Sequence, residues 1–257
     1  MSAPASAACE LLPWDTEFFR CRIARVCGDT LKSEQLASMD DWSRRNRIQC
    51  LYFLARADDP MTLHTAEQSH FGLVDIRITL EHRMARMPEG AYPEPSAGVD
   101  IRPFQPGDLP GLQAMARVVH QGTRFGNDSH FARERVEELY ASWLTLETQG
   151  RARMVLIAAS KDDQPLGYVS CHWDPNRRAG QIGLVGVGPE AQGKGIGRKL
   201  VLSALNWFGT QGAGEVTVVT QGSNLAAQRL YQQCGFLSRD VRLWYHKWYP
   251  PATGERR

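Results

Sequence analysis

Beyond residue 100 the apolar positions change period several times. Leu112, Met115, Ala116 and Val119 recur at steps of three and four, which is one helical face, and Asp108 stands where a cap would start it. A second helix is predicted over Phe131–Thr148. Two apolar runs of strand length follow, Met154–Ala159 and Gly167–Trp173, rich in branched and aromatic residues. The turn-forming stretch 175–180 then leads into a third run, Ile182–Val187, and predicts a hairpin. Leu200, Val201, Ala204, Leu205 and Phe208 return to helical spacing. Val216–Thr220 reads as a strand, Asn224–Cys234 as a short helix and Phe236–Trp248 as one or two final strands. This order predicts an α/β fold in which helices flank a mixed central sheet.

Residues 87–98 hold three prolines and two glycines in twelve positions, a composition that supports neither a helix nor an inner strand. They read as a linker between an N-terminal part, 1–86, and a larger part, 99–249, followed by a polar tail at 250–257. The first part repeats the end of the second. A shift of 165 positions lays Leu51–Ala55 on Val216–Thr220, Phe71 on Phe236 and Asp75–Ile78 on Asp240–Leu243 without a gap. The N-terminal part is therefore expected to be a smaller, truncated copy of the same half-fold.

Composition narrows the classes of function. Apolar residues make up 42% of the 257 positions, so the chain can build a packed core. Thirty Lys and Arg against 28 Asp and Glu leave a net charge of +2, which argues against a nucleic-acid partner. No apolar run approaches the roughly 20 residues of a membrane span. The first six residues lack the basic and apolar regions of a secretory signal. Six scattered cysteines without a C-x-x-C spacing predict neither a metal cluster nor a disulfide framework. A cytoplasmic protein is expected.

Chemistry concentrates in Gly188-Pro189-Glu190-Ala191-Gln192-Gly193-Lys194-Gly195-Ile196-Gly197-Arg198-Lys199. A strand enters a turn with three alternating glycines, and the turn opens an amphipathic helix. Glycines let successive backbone N–H groups converge, and the helix start adds unpaired N–H groups and partial positive charge. Such a site suits a pyrophosphate, with Lys194, Arg198 and Lys199 adding charge. A P-loop would need Gly-Lys followed by Ser or Thr, and a Rossmann turn has different glycine intervals. The remaining alternative is a turn chosen for shape alone.

About thirty residues on stands Asn224-Leu225-Ala226-Ala227-Gln228-Arg229-Leu230-Tyr231-Gln232-Gln233-Cys234-Gly235-Phe236. Q-x-x-G-x-G opening a helix, then a strand, then N-x-x-A-x-x-L-Y-x-x-x-G-F, resembles the GNAT acetyltransferases from Asp100 to about Trp248. The resemblance implies a GNAT fold and acetyl-CoA as co-substrate. It places the backbone of Gln192, Gly193, Lys194, Gly195, Ile196 and Gly197, with Arg198, on the CoA pyrophosphate. Val185 and Val187 would pair with the pantetheine, the Val187 N–H would meet the oxyanion, and Asn224 would contact the arm near the thioester. Tyr231 would protonate the departing thiolate. Tyr231 shares a helical face with Ala227, Leu230 and Cys234, so core packing is its alternative, with Leu230 the expected core member. Asn224 could equally be a helix cap. Some family members carry a glutamate on the strand before the loop, and Gln181–Val187 has no acid. Asp75, His172 and His120 remain as candidate bases.

A narrower resemblance rests on Leu12–Phe19, Phe71–Asp75, Thr123-Arg124-Phe125 and Gly167–Ser170, which look like the acetyltransferases that act on TDP-fucosamine. It implies a nucleotide-linked 4-amino-4,6-dideoxy sugar as acceptor. Arg124 would meet the diphosphate, Phe125 or Trp14 would stack on base or sugar, and Asp75 would orient the amine or a water. The partner is then a small molecule, with self-association as a homodimer left open. Peptide or aminoglycoside acetylation, and a non-catalytic acyl-CoA-binding module, are the competing readings.

Overall fold

A computed structural model describes residues 9–86, 98–120 and 122–250. The start at 1–8, the predicted linker 87–98 except for its last residue, residue 121 and the predicted tail 250–257 except for its first residue lie outside the described residues. In chain order the elements are β1 (Cys9–Leu11), α1 (Pro13–Phe19), β2 (Ile23–Val26), α2 (Ser33–Arg45), β3 (Cys50–Arg56), α3 (Pro60–Gln68) and β4 (Gly72–Arg83). Next come β5 (Val99–Pro103), α4 (Leu109–Val119), α5 (Arg133–Leu146), β6 (Met154–Ser160), β7 (Pro165–Asp174) and β8 (Ala179–Val187). The last are α6 (Ile196–Thr210), β9 (Glu215–Gln221), α7 (Leu225–Gln233) and β10 (Leu237–Trp248). The sequence period therefore predicted the helices and strands from α4 onward, and Phe236–Trp248 resolves into a single strand. No described helix is long and apolar enough to cross a membrane.

The chain forms two compact units whose limits differ from the predicted linker. Unit 1 takes residues up to Arg77, Asn127–Phe131 and Val241 onward; unit 2 takes Ile78–Gly126 and Ala132–Asp240. In unit 2 the strand order is β4-β9-β8-β7-β6-β5. The apolar face of α6 (Leu200, Val201, Ala204, Leu205 and Phe208) is buried in one core with Leu156, Val169, Cys171, Ile182, Val216 and Val218 of the sheet. Each buried Leu, Ile, Val or Phe of this set contributes about 1.5–3 kcal/mol by leaving water, which is why the strand–helix period is so legible. Asp108 does not cap α4. Its carboxylate accepts the Gln105 N–H at 2.8 Å and both Arg102 terminal nitrogens at 2.8 Å, so it closes the preceding short turn instead.

In unit 1 the strand order is β1-β2-β3-β10, with β2 parallel to β3 and β10 antiparallel to it. The 165-residue repeat is structural. The shift carries β3 onto β9, α3 onto α7 and β4 onto β10, each with both ends matching. The caps match too: Asp59 accepts from Thr62 N–H and Asn224 from Ala227 N–H. After each helix a left-handed residue follows, His70 and Gly235, then a buried Phe, Phe71 and Phe236. The copies diverge in one place. Ile23 pairs with Cys50 and Ala179 with Glu215, so the strand before the first helix matches at a shift of 156 rather than 165. Unit 1 is thus nine residues shorter between that strand and the next, seven of them before the helix begins, where unit 2 carries its glycine loop.

Segment 127–131 is built into unit 1 by a buried carboxylate. Asp128 accepts from His246 Nδ1 at 2.7 Å, Trp248 Nε1 at 2.8 Å, His130 Nδ1 at 2.8 Å and His130 N–H at 3.0 Å. Because an ionised carboxylate only accepts, both histidines present Nδ1–H to it. Burial pushes the Asp128 pKa up. Hydrogen bonds from His246, Trp248 and His130 outweigh that and hold it well below the usual carboxylate range. The depressed pKa means that this stabilisation is present above the unfolded carboxylate value, near 3.9, and is lost as pH falls through the folded value. Asp128→Asn turns an NH₂ group toward these donors, and we expect a loss of ~2 kcal/mol at pH 7. Urea unfolding monitored at pH 7 and at pH 3 should show the variant and wild type converging at the lower pH.

Candidate active site

The site begins with a register defect between two strands. β8 pairs antiparallel with β7 from Asp174–Ala179 to Gly167–Val187, with Val169 opposite Val185 and Cys171 opposite Ile182. One residue of β7, Ser170, therefore faces two of β8, Gly183 and Leu184. Such a bulge bends its strand and raises the local twist. Ser170 Oγ takes the Leu184 N–H at 2.8 Å, and a Cβ at Gly183 would lie 2.6 Å from that oxygen, so only glycine fits. On its other edge β8 pairs with β9 only as far as Ile182 and Val218. Beyond that point the strands part.

A cavity of about 810 Å³ opens there, lined by Gly183–Val187 of β8 and Val219–Gln221 of β9. Its mouth is the glycine loop. Gly193 and Gly195 have φ of 74° and 76°, in the left-handed region, and a Cβ on either would meet no atom within 4 Å. The first bond of α6 is Lys199 N–H to Gly195 C=O, so the amides of Ile196, Gly197 and Arg198 precede the helical ladder, as helix starts require. Gln192 Nε2 donates to the Val187 carbonyl at 3.1 Å and ties the loop to the end of β8. The donor set, the helix start and the open space over both glycines fit a diphosphate.

Of the residues singled out in the sequence, the cavity brings together Val185, Val187, Gln192, Gly193, Gly195, Ile196, Gly197, Arg198, Asn224 and Tyr231. Asn224 caps α7, its Oδ1 accepting the Ala227 N–H at 3.1 Å, and the residue also lines the cavity. Its amide nitrogen is the group left for a ligand. Tyr231 is 5% exposed, more buried than Leu230, which reverses the expected division of labour on α7. Both line the cavity, and burial pushes the Tyr231 phenol above its ordinary pKa.

Seven expected residues lie outside the lining: Trp14, Asp75, Arg124, Phe125, His172, Lys194 and Lys199. Lys194 folds back, its Nζ donating to the Glu190 carbonyl at 2.8 Å. Phe125 is 1% exposed and packs edge-on to Trp143, so its ring is core and has no face for a substrate. Arg124 places its guanidinium 4.2 Å over that ring. Trp14 and Asp75 belong to unit 1: Trp14 stacks on Phe18 at 5.0 Å, and Asp75 Oδ1 accepts the neighbouring Ile76 N–H. Conversely, Tyr140 and Trp143 of α5 line the cavity and were read from the sequence only as helix; an aromatic pair three residues apart was the available signal. His120 also lines it, with Nε2 2.8 Å from Tyr168 Oη.

Residues 121–236 match the model of the acetyltransferase (GNAT) family. The chain is 28% identical over 63% of its length to spore coat polysaccharide biosynthesis protein SpsD of Bacillus subtilis (strain 168), of which it spans 55%. It is 27% identical over 95% of its length to the dTDP-fucosamine acetyltransferase of Escherichia coli O6:H1 (strain CFT073), of which it spans 100%. Among solved structures, a GCN5-related N-acetyltransferase from Sphaerobacter thermophilus superposes with a TM-score of 0.69 at 18% identity, covering 95% of this chain and 77% of that one. This last likeness concerns the fold.

Two glycines test the geometry. A Cβ at Gly186 would lie 2.6 Å from the buried Tyr168 ring, so Gly186→Ala should cost about 2–3 kcal/mol through overpacking. Gly195→Ala meets no protein atom and should cost only about 1 kcal/mol of backbone strain. Thermal unfolding of the two variants should rank them in that order, and equal losses would contradict the packing around Tyr168.

Proposed function

Starting from the GNAT acetyltransferase domain that this chain contains, we propose that the protein transfers an acetyl group from acetyl-CoA to the amine of a nucleotide-linked 4-amino-4,6-dideoxy sugar. One observation carries the reading: residues of the parted β8–β9 edge, the glycine loop before α6 and Tyr231 all line one cavity. Support for the acceptor comes from the chain's similarity, over 95% of its length, to a dTDP-fucosamine acetyltransferase.

The amides from Gly193 to Arg198, the start of α6 and the Arg198 guanidinium would hold the diphosphate of the coenzyme. Backbone groups of Val185 and Val187, on the edge of β8 that β9 leaves open, would pair with the extended pantetheine as an added strand. The Asn224 amide nitrogen would donate to the same arm. Bound acetyl-CoA supplies an acyl carbon already activated as a thioester. The Val187 N–H would meet the negative charge that develops on its oxygen.

Tyr231 is then the proton donor to the departing sulfur. Burial raises its pKa, so the proton stays on the phenol at neutral pH and is available when charge builds on the thiolate. A sugar amine flanked by electron-withdrawing oxygens is less basic than lysine, so more of it is neutral, which suits a strand that carries no glutamate. Arg124, on the loop that follows His120, is the candidate contact for the sugar nucleotide's diphosphate. Phe125, Trp14, Asp75 and the Lys194 side chain have no part in the proposal.

Tyr231→Phe should lower kcat by about 10²–10⁴-fold with little change in acetyl-CoA affinity measured by calorimetry. Unchanged turnover would remove the phenol from its role. Arg124→Ala should raise KM for a diphosphate-linked amino sugar more than for the free amino sugar. Equal effects on the two acceptors would place the guanidinium elsewhere.

A further inference from the structure

Three side chains could take a proton from the incoming amine, and their surroundings separate them. Asp75 is in unit 1 and its Oδ1 accepts from the Ile76 amide. His172 has Nε2 2.7 Å from the buried Glu147 carboxylate and does not line the cavity. His120, at the C-terminal end of α4, lines the same cavity as Tyr231. Its imidazole is held on two sides: Nε2 is 2.8 Å from Tyr168 Oη, and the ring stacks on Tyr140 with centroids 4.6 Å apart. Tyr168 in turn stands over Gly186, where a Cβ would strike its ring, so the strand that opens the cavity also leaves room for the group that holds the histidine.

We infer that His120 is the base that accepts the proton of the acceptor amine, through Nδ1. The inference rests on the acetyl-transfer reading above. Tyr140 of α5 and Tyr168 of β7 are the titratable groups that face the imidazole, and the lining segment of β8, Gly183–Val187, has none. On α4 itself, Arg117 is paired with Glu138. Burial pushes the Tyr168 phenol up, so it stays protonated; in the proposed role the imidazole carries its proton on Nε2, donated to the Tyr168 oxygen, and Nδ1 is the nitrogen left to accept. Burial also lowers His120 to about 4, so the resting imidazole is neutral.

The protons balance. The amine nitrogen bonds to the acyl carbon and its proton passes to His120 Nδ1. The carbon–sulfur bond breaks and the sulfur takes the Tyr231 proton. The imidazolium then returns its proton through solvent to the Tyr231 phenolate, leaving an amide and a free thiol.

The test follows thiol release by wild type, His120→Ala and His120→Gln, with small primary amines and with an amino-sugar nucleotide, beside calorimetry with acetyl-CoA. We expect both variants to lose about 10²–10³-fold in kcat with acetyl-CoA affinity retained, and added imidazole to restore part of the His120→Ala rate. Wild-type kcat in either variant, or a loss that imidazole does not relieve and that tracks weaker acetyl-CoA binding, overturns the inference. If wild type acetylates small amines but not the sugar nucleotide, and His120→Ala is slow with those amines, the sugar reading fails and the role of His120 is supported. A wild type inactive toward every amine overturns both.

Discussion

Strand β8 stays paired with β7 on both sides of a single bulge and loses its pairing with β9 after Ile182. The cause is local: Gly183 and Leu184 share the place opposite Ser170, whose hydroxyl takes the amide that the bulge strands. From that defect follow an open strand edge, a cavity between two parted strands and a loop set at its mouth. The glycines serve this geometry differently. At 183 and 186 they admit the Ser170 and Tyr168 side chains of the neighbouring strand, whereas at 193 and 195 they turn the backbone into the left-handed region.

The duplicated frame shows how little of a half-fold is chemistry. Helix α3 matches α7 in length, position and cap, yet Ala66 stands where α7 has Tyr231. Both positions are buried, so packing accepts either side chain. Seven of the nine missing residues fall before α2, in the stretch that in unit 2 supplies the end of the parted strand and the amide-rich turn. Unit 1 thus keeps the elements whose apolar faces build a core and lacks the ones that open a site.

Expectations drawn from type and spacing succeeded where a main-chain conformation or a repeating burial pattern was at stake. Those drawn from a side chain's chemistry alone did less well. Phe125 was expected to stack on a ligand because aromatic rings do so, but it fills the core against Trp143. Lys194 was expected to add charge to the loop, but its flexible stem lets the ammonium turn to the Glu190 carbonyl. Asp108 has the chemistry of a helix cap, and a bidentate arginine claims its carboxylate instead. In each case a nearer partner, invisible in one dimension, competed for the group.

The order of the elements, the repeat and the glycine loop before α6 are written in the sequence, because each depends on residues a few positions apart: helical and strand periods, caps, and left-handed turns. The membership of the cavity is not. His120, Tyr140, Val187, Val219 and Tyr231 come from the end of α4 and from α5, β8, β9 and α7, and only the folded sheet decides which of their faces meet. The same holds for the imidazole's neutral state. It is set by removal of water around one ring, a property of the surroundings that no pattern along the chain records.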